Sequence, residues 1–264
     1  MCGIAGYSID HRSKIDRTLG AQALLAGIAE RGADAVGYAY RDTSGGVAVH
    51  KQRAGASAVL DNVAVPAVTN QVLVHVRDYT KGHPRVGANN HPIRHGSVVG
   101  IHNGIIENDE EIFARPGFAR AEPEMTVDSE AIFALVHRRP GDHSALEDLR
   151  GAMATAWLDE RDPETLHLAR GVGRPLWLGC GRRELFFAST RSALELVERT
   201  LRIPLRLSEL REGHAVGVVR GRIASRVSFT PDFGYQEQNV LPSVRAPHEG
   251  VSCLERLAAI SALA

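Results

Sequence analysis

The sequence predicts an α+β fold built mainly from antiparallel sheets. Short segments rich in β-branched and apolar residues come in two blocks, one in each half of the chain. Helical segments fall in pairs between these blocks rather than after every strand. A doubly wound parallel sheet requires strict alternation of strand and helix, so this order indicates sheets covered by helices on their faces.

Each predicted strand is a short apolar run that glycine, proline, asparagine or aspartate interrupts at its ends. In the first half the predicted strands are GIAGYSI, AVGYAYRD, GVAVHKQRAG, QVLVHVRDY and SVVGIHNGII. In the second half they are ATAWLDE, TLHLAR, LWLGC, ELFFAS, HAVGVVRG and RIASRVSF.

The predicted helices begin at residues that favour helix amino termini. Ser13 and Asp16 form a capping box for a first helix that stops at Gly32. Further helices are predicted from Ser129 to Pro140, after Ser144, and after Ser189 or Thr190. Asn108 is expected to cap a short acidic helix.

The strand rhythm ends near residue 230. Beyond it the sequence predicts an extended segment and a terminal amphipathic helix, VSCLERLAAISALA. We therefore expect one domain over residues 2–230 and a C-terminal extension, residues 231–264, packed on the same domain.

Composition excludes several classes of protein. The chain has 264 residues, 44% of them hydrophobic and 23% charged, with zero formal net charge. It carries no long basic run for nucleic acid, no run of about 20 apolar residues for a membrane, and no signal peptide. Cys2, Cys180 and Cys253 show no CxxC spacing, so neither a disulfide framework nor a zinc site is indicated. These features favour a reducing, cytoplasmic compartment.

Cys2 stands directly behind the initiator methionine. If Met1 is removed, thiol and α-amine belong to one residue, and an amine with a pKa near about 8 can serve as base for the thiol. The alternative interpretation is a small buried thiol that begins a strand.

Asn103 and Gly104 follow an apolar strand in VVGIHNGIIEN. An asparagine amide and a glycine N–H together offer two donors to an oxyanion, and the glycine could leave room for substrate against the backbone. The alternative is an ordinary Asn-Gly turn at a strand end.

Two charged residues are candidates for binding a zwitterion. Arg77 ends a strand before a loop rich in glycine, proline and asparagine, where a guanidinium could hold a carboxylate. Asp128 precedes a helix and could pair with an ammonium. The alternatives are a surface arginine and a helix cap.

These segments together resemble the class II glutamine amidotransferases, whose glutaminase domain stands at the front of glucosamine-6-phosphate synthase. The resemblance runs colinearly over about residues 2–225. Its segments are CGIAGY, LLAGIAERGADAVGYAY, HVRDYTKG…NNHPI, VVGIHNGIIEN, TVDSEAIFALV and GAMATAWLDERDPETLHLARGVGRPLWLGCG…LFFASTRSAL. It implies a four-layer αββα sandwich of the N-terminal nucleophile hydrolase type.

The resemblance implies that the chain hydrolyses the side-chain amide of L-glutamine. Cys2 would be the nucleophile, with its freed α-amine as base. The Asn103 side chain and the Gly104 backbone N–H would form the oxyanion hole. No metal or organic cofactor is implied.

The resemblance also assigns substrate contacts. Arg77 would hold the α-carboxylate of glutamine and Asp128 its α-amine. Arg31 matches a family arginine near the nucleophile, and Thr80 matches a substrate-contacting threonine.

Two features depart from the family pattern. In the loop usually read as HTRWATHG, Asp78 replaces a tryptophan and Lys81 a histidine. The roughly 35 residues after position 230 are too few for a synthase domain, so the ammonia acceptor is expected to be a separate synthase subunit. Whether the chain forms a homo-oligomer stays open.

Two other functions therefore compete with glutamine hydrolysis. The first is an amidohydrolase of the same fold that acts on a γ-glutamyl or other amide. The second is a non-catalytic regulatory subunit.

Overall fold

Two antiparallel β-sheets packed face to face form the centre of the protein. A computed structural model describes residues 2–237 and 242–263, and within them the strands form a seven-stranded and a six-stranded sheet. The first sheet has the spatial order β11 (Arg206–Glu209), β9 (Trp177–Cys180), β10 (Glu184–Ala188), β1 (Gly3–Ile9), β4 (Gln71–Arg77), β2 (Ala35–Arg41), β3 (Val47–Gln52). The second has the order β13 (Arg222–Ser228), β12 (His214–Val219), β8 (Asp162–Arg170), β7 (Gly151–Asp159), β6 (Val98–Ile106), β5 (Ile93–His95).

Helices cover the outer faces of both sheets. They are α1 (Arg17–Ile28), α2 (Asp109–Phe113), α3 (Glu130–Arg138), α4 (Arg191–Leu201) and α5 (Pro247–Leu263). Helices α1, α4 and α5 share one apolar core with the first sheet, whereas α3 packs on the second. Within the described residues, no helix is long and apolar enough to cross a membrane.

A third apolar core fills the space between the sheets. Ile4 and Leu73 of the first sheet meet Ile101 and Leu168 of the second there, and all four side chains are fully buried. The layers are thus helices, sheet, sheet and helices, which confirms the α+β class and the αββα sandwich. Successive side chains of a strand point to opposite faces, so this core fixes which residues of each strand face the other sheet.

The predicted strands and five of the six predicted α-helices are present. Strands β5 and β11 were not predicted, because runs of three and four residues carry too little alternation. The helix expected after Ser144 is a 3-10 segment, His143–Asp148.

The start of α1 differs in detail from the prediction. Asp16 is its N-cap, accepting from the Leu19 N–H at 2.8 Å. The expected capping box is wrong, because the Ser13 hydroxyl hydrogen-bonds the Glu184 carboxylate instead. At α2, Asn108 occupies the N-cap position without a side-chain capping bond, since its amide binds the Arg150 N–H and the Asp148 carbonyl.

Helix α5 packs beside α1. Cys253 and Leu257 are buried in the same apolar core as Leu24 and Leu25 of α1. The boundary between a domain at 2–230 and an extension at 231–264 stays a prediction.

Truncation of the inter-sheet core tests this packing. We expect Leu168→Ala to lower the free energy of unfolding by about 2–5 kcal/mol, because it leaves a cavity between the sheets. The control is Leu254→Ala on α5, where the side chain is 47% exposed and the expected loss is under about 0.5 kcal/mol. Urea denaturation measures both, and equal losses would contradict a tightly packed inter-sheet core.

Candidate active site

Strand alternation brings three of the predicted residues to one end of the inter-sheet space. Cys2 lies two residues from Ile4, and Asn103 two residues beyond Ile101, so each continues a face that packs between the sheets. Arg77 lies four residues beyond Leu73 on the same face of β4. Gly3 pairs with Val76, which places Cys2 beside Arg77.

A hydrogen bond joins the two sheets next to these residues. His75 of β4 approaches the carbonyl oxygen of His102, on β6, with its Nε2 at 3.2 Å. The neighbouring residues Arg77 and Asn103 are therefore held at the same end of the sandwich.

The Cys2 thiol is held against the loop that follows β4. Its Sγ lies 3.5 Å from the Asp78 carbonyl oxygen. Burial raises the pKa of Cys2, while the Asp78 contact and the positive charge of Arg77 oppose that rise. A thiol with a raised pKa is mostly protonated at neutral pH, so nucleophilic attack by Cys2 requires a base.

Arg31 supports the main chain of Cys2. Its Nε donates to the Cys2 carbonyl oxygen at 2.9 Å, and the residue is only 3% exposed. Among the described residues, its buried Nη2 has no hydrogen-bond partner. The arginine predicted among the substrate contacts is thus bonded to the backbone of the candidate nucleophile.

Asn103 is fully buried, and within the described part of the chain neither atom of its carboxamide has a hydrogen-bond partner. A buried amide without partners costs about 1–3 kcal/mol. Such a group is uncommon in a folded core and is what a preorganised oxyanion donor requires.

Gly104 lies inside β6, so the Asn-Gly pair is part of a strand and not a turn. Its φ is +150°, and a Cβ there would lie 2.0 Å from the Ala152 carbonyl oxygen. The neighbouring strand β7 therefore already requires glycine, a different reason from the expected approach of substrate.

Arg77 organises the loop that follows it. Its Nη1 donates to Asn90 Oδ1 at 2.6 Å, and its Nη2 donates to the carbonyl oxygens of Lys81, at 2.8 Å, and Gly82. The side chain is 2% exposed. A carboxylate bound by this guanidinium would have to replace some of these bonds. Thr80 is exposed on the same loop.

The two departures in this loop form ion pairs. Asp78 Oδ2 lies 3.1 Å from Arg245 Nε, in the segment before α5. Lys81 Nζ lies 2.7 Å from Oδ1 of the buried Asp109, and Arg120 Nη2 lies 2.8 Å from its other oxygen. The loop is thus attached both to α2 and to the C-terminal segment.

Asp128 lies just before α3 and is 3% exposed. Its Oδ2 accepts from the Ile106 N–H at 2.7 Å. Burial raises the pKa of Asp128 to about 6, and the nearby Asp109 carboxylate adds to the rise. The carboxylate is therefore ionised at neutral pH and close to its titration range.

Three buried histidines near the site were missed from the sequence. His75 and His91 stack with ring centroids 4.1 Å apart, and His102 Nδ1 lies 2.9 Å from the Ser129 hydroxyl. Burial lowers the pKa of all three, so they are neutral. The available signal was the position of His75 two residues before Arg77 on β4 and of His102 next to Asn103 on β6.

Arg174 was also not singled out, and it is 5% exposed. It forms a two-pronged ion pair with Glu237, at 2.5 and 2.9 Å, and its charge contributes to lowering the pKa of His102. Among residues 2–237 and 242–263, no cluster of three or more His, Cys, Asp or Glu side chains is arranged to hold a metal ion.

Sequence comparison finds similarity to one group of enzymes. A family model described as "Glutamine amidotransferase domain" matches residues 83–196. The glutamine–fructose-6-phosphate aminotransferase (isomerizing) of Yersinia pseudotuberculosis is 34% identical over 240 residues, covering 85% of this chain and 36% of that protein. The Mycolicibacterium smegmatis enzyme of the same name is 34% identical over 225 residues, covering 74% and 35%. The chain thus spans about a third of the length of these relatives.

Solved structures share the fold. The glutamine phosphoribosylpyrophosphate amidotransferase of B. subtilis superposes with a TM-score of 0.65 at 17% identity, covering 86% of this chain and 49% of that one. A glutamine aminotransferase class-II domain protein from Silicibacter pomeroyi gives 0.54 at 17% identity, covering 87% and 100%. The sequence matches show that the chain belongs to the class II glutamine amidotransferase domain family, and the solved structures show the same fold.

Proposed function

We propose that this protein hydrolyses the side-chain amide of L-glutamine at Cys2 and passes the ammonia to a separate synthase or transferase. The observation that carries the proposal is the Asn103 carboxamide, fully buried and unpartnered within the described residues, on an inner strand face at the same end of the sandwich as Cys2. A separate acceptor of the ammonia is part of this proposal, and the chain matches about a third of the length of the aminotransferases that it resembles.

The proposed reaction begins with the Cys2 thiol. The α-amine freed by removal of Met1 takes the thiol proton, which the raised pKa of Cys2 makes necessary. The sulfur attacks the carboxamide carbon, and Asn103 Nδ2 and the Gly104 N–H stabilise the negative oxygen of the tetrahedral intermediate. The ammonium form of the amine returns its proton to the leaving nitrogen, which departs as ammonia. Water then cleaves the γ-glutamyl thioester and yields glutamate.

The substrate's charged end would lie between Arg77 and Asp128. Burial lowers the pKa of Arg77, and the negative charge of Asp128 opposes that lowering, so the two groups interact electrostatically. An amino acid offers a carboxylate to the first and an ammonium to the second. Residues 2–230 form the catalytic domain in this proposal, and the cytoplasm is the proposed location because it keeps a working thiol reduced.

The alternative function, an amidohydrolase that acts on a γ-glutamyl or other amide, rests on the departures from the family pattern at Asp78 and Lys81. Both side chains form ion pairs with this chain's own residues, Arg245 and Asp109. They therefore supply no evident contact to a larger γ-glutamyl substrate, which favours free glutamine. The non-catalytic alternative does not explain why Asn103 is kept buried without partners.

Replacement of the nucleophile is the first test. We expect Cys2→Ala to abolish glutamate release from glutamine, because no other described thiol lies at this site. The control is Cys180→Ala, at the opposite end of the first sheet, which should keep wild-type activity. Intact-mass measurement checks whether Met1 has been removed from both variants. Glutamate release by Cys2→Ala would contradict the proposal.

Replacement of Asn103 separates catalysis from stability. We expect Asn103→Ala to lower kcat about 100- to 1,000-fold, as for the loss of one oxyanion donor. The free energy of unfolding should fall by no more than about 1 kcal/mol, because the amide has no described bonds to lose. In contrast, Asn108→Ala removes two bonds and should cost about 1–3 kcal/mol. A kcat within fivefold of wild type would refute the oxyanion role.

The ionisation of Asp128 predicts a pH dependence of substrate binding. Because its pKa is about 6, the carboxyl becomes protonated as pH falls below 6 and loses its attraction for the substrate ammonium. We expect KM for glutamine to rise by up to about tenfold per pH unit below 6, and this dependence to vanish in Asp128→Asn, whose KM is high throughout.

The raised pKa of Asp128 also predicts how the free energy of unfolding depends on pH. The folded state holds the Asp128 proton more tightly than the unfolded state, so the free energy of unfolding decreases as pH rises through the range from about 4 to 6. Asp128→Asn should reduce that slope, whereas Asp142→Asn, at an exposed turn, should not.

A wild-type KM for glutamine that does not change with pH would contradict the proposed role of Asp128 in binding the substrate ammonium.

A further inference from the structure

The segment before α5 contacts one of the two chain segments that hold Cys2. The N–H groups of Arg245 and Ala246 both donate to the Glu30 carbonyl oxygen at 2.9 Å. Glu30 precedes Arg31, whose Nε donates to the Cys2 carbonyl oxygen. The segment before α5 is therefore hydrogen-bonded to the residue next to Arg31, which in turn binds the main chain of Cys2.

The side chain of Arg245 reaches the other segment. Its Nε lies 3.1 Å from Asp78 Oδ2, and the backbone carbonyl of the same aspartate accepts the Cys2 thiol contact at 3.5 Å. Asp78 directly follows Arg77, so this ion pair acts on the first residue of the loop that follows β4. One arginine thus connects both sides of the nucleophile.

Helix α5 is attached to the rest of the domain by contacts that do not involve Arg245. The Glu249 carboxylate accepts from the Ser57 N–H at 2.8 Å and from its hydroxyl at 3.1 Å. Cys253 and Leu257 are buried against α1. These contacts lie away from Cys2, so the helix can be attached whether or not Arg245 binds Asp78.

We propose that Arg245 is a positioning residue for the candidate active site. It holds Asp78, and with it the start of the loop after β4, against the Cys2 thiol. The aspartate stands where the family pattern has tryptophan, and its partner comes from a segment outside the region of resemblance, so the two departures form one contact. The inference of an effect on turnover rests on the proposed glutaminase activity; the effect on the thiol does not.

The test measures the thiol and the turnover separately. Iodoacetamide alkylation of Cys2 in the full chain is followed by peptide mass spectrometry, and kcat and KM are measured with glutamine. We expect Arg245→Ala to speed alkylation of Cys2 and raise KM, each about threefold to fivefold, with a smaller change in kcat. These values correspond to the upper range for partly exposed ion pairs, since Asp78 is only 16% exposed.

Three further variants keep the result specific. Arg256→Ala removes the ion pair between α5 and Asp61, both side chains nearly half exposed, and should leave both readouts unchanged. In a double-mutant cycle, Asp78→Ala and Arg245→Ala should not add, because each removes the same contact. Arg245→Lys, which keeps the charge, should restore part of the wild-type behaviour.

The outcomes distinguish this inference from the proposed function. An unchanged alkylation rate in Arg245→Ala, or full additivity in the cycle, overturns the positioning role. If the wild-type protein releases no glutamate while Arg245→Ala still accelerates alkylation, the glutaminase proposal fails and the positioning role stands. If Arg245→Ala does not fold, wild-type alkylation at 1 M NaCl screens the pair, and a rate equal to that at low salt overturns the inference.

Discussion

The face-to-face packing of two sheets is the constraint on which the site depends. The apolar core between them fixes one face of each central strand as the inner face. Cys2, Arg77 and Asn103 each continue such a face past the end of the apolar core. The same alternation that buries leucine and isoleucine in the middle of the sandwich thus places a thiol, a guanidinium and an amide at its end. A shift of one residue in the register of these strands would turn all three side chains away.

The site contains groups that a purely structural core would avoid. Asn103 is buried without described partners, and burial raises the pKa of both Cys2 and Asp128. The unpartnered amide and the ionised Asp128 carboxylate oppose folding at neutral pH, because a buried polar or ionised group loses hydration without full replacement. Three apolar cores, above and below the sheets and between them, offset that cost. Both costs therefore fall on groups to which the proposed chemistry assigns a role.

The loop after β4 departs from the family pattern at two residues, and each of them forms an ion pair. The guanidinium of Arg77, at the end of β4, donates to two carbonyl oxygens of the loop and to Asn90. Outside contacts then come from two different regions, with Lys81 bound by Asp109 and Asp78 by Arg245. Charged side chains thus stand where the family has aromatic ones, and their partners are also charged. This complementarity gives a physical reason for two substitutions that look unrelated in the sequence.

The sequence by itself determined the α+β class and most of the elements, because alternation and helix caps are local signals. It also predicted the residues of the candidate site, because motifs such as CGIAGY and HNG resemble a known family. Only the tertiary structure decided what those residues contact. Arg31 binds the Cys2 carbonyl, Gly104 is required by a carbonyl of β7, and Asp78 meets an arginine 167 residues away. Such contacts leave no periodic pattern in the sequence. They depend on which strands of the two sheets lie opposite each other and on where the C-terminal helix packs, and tertiary packing determines both.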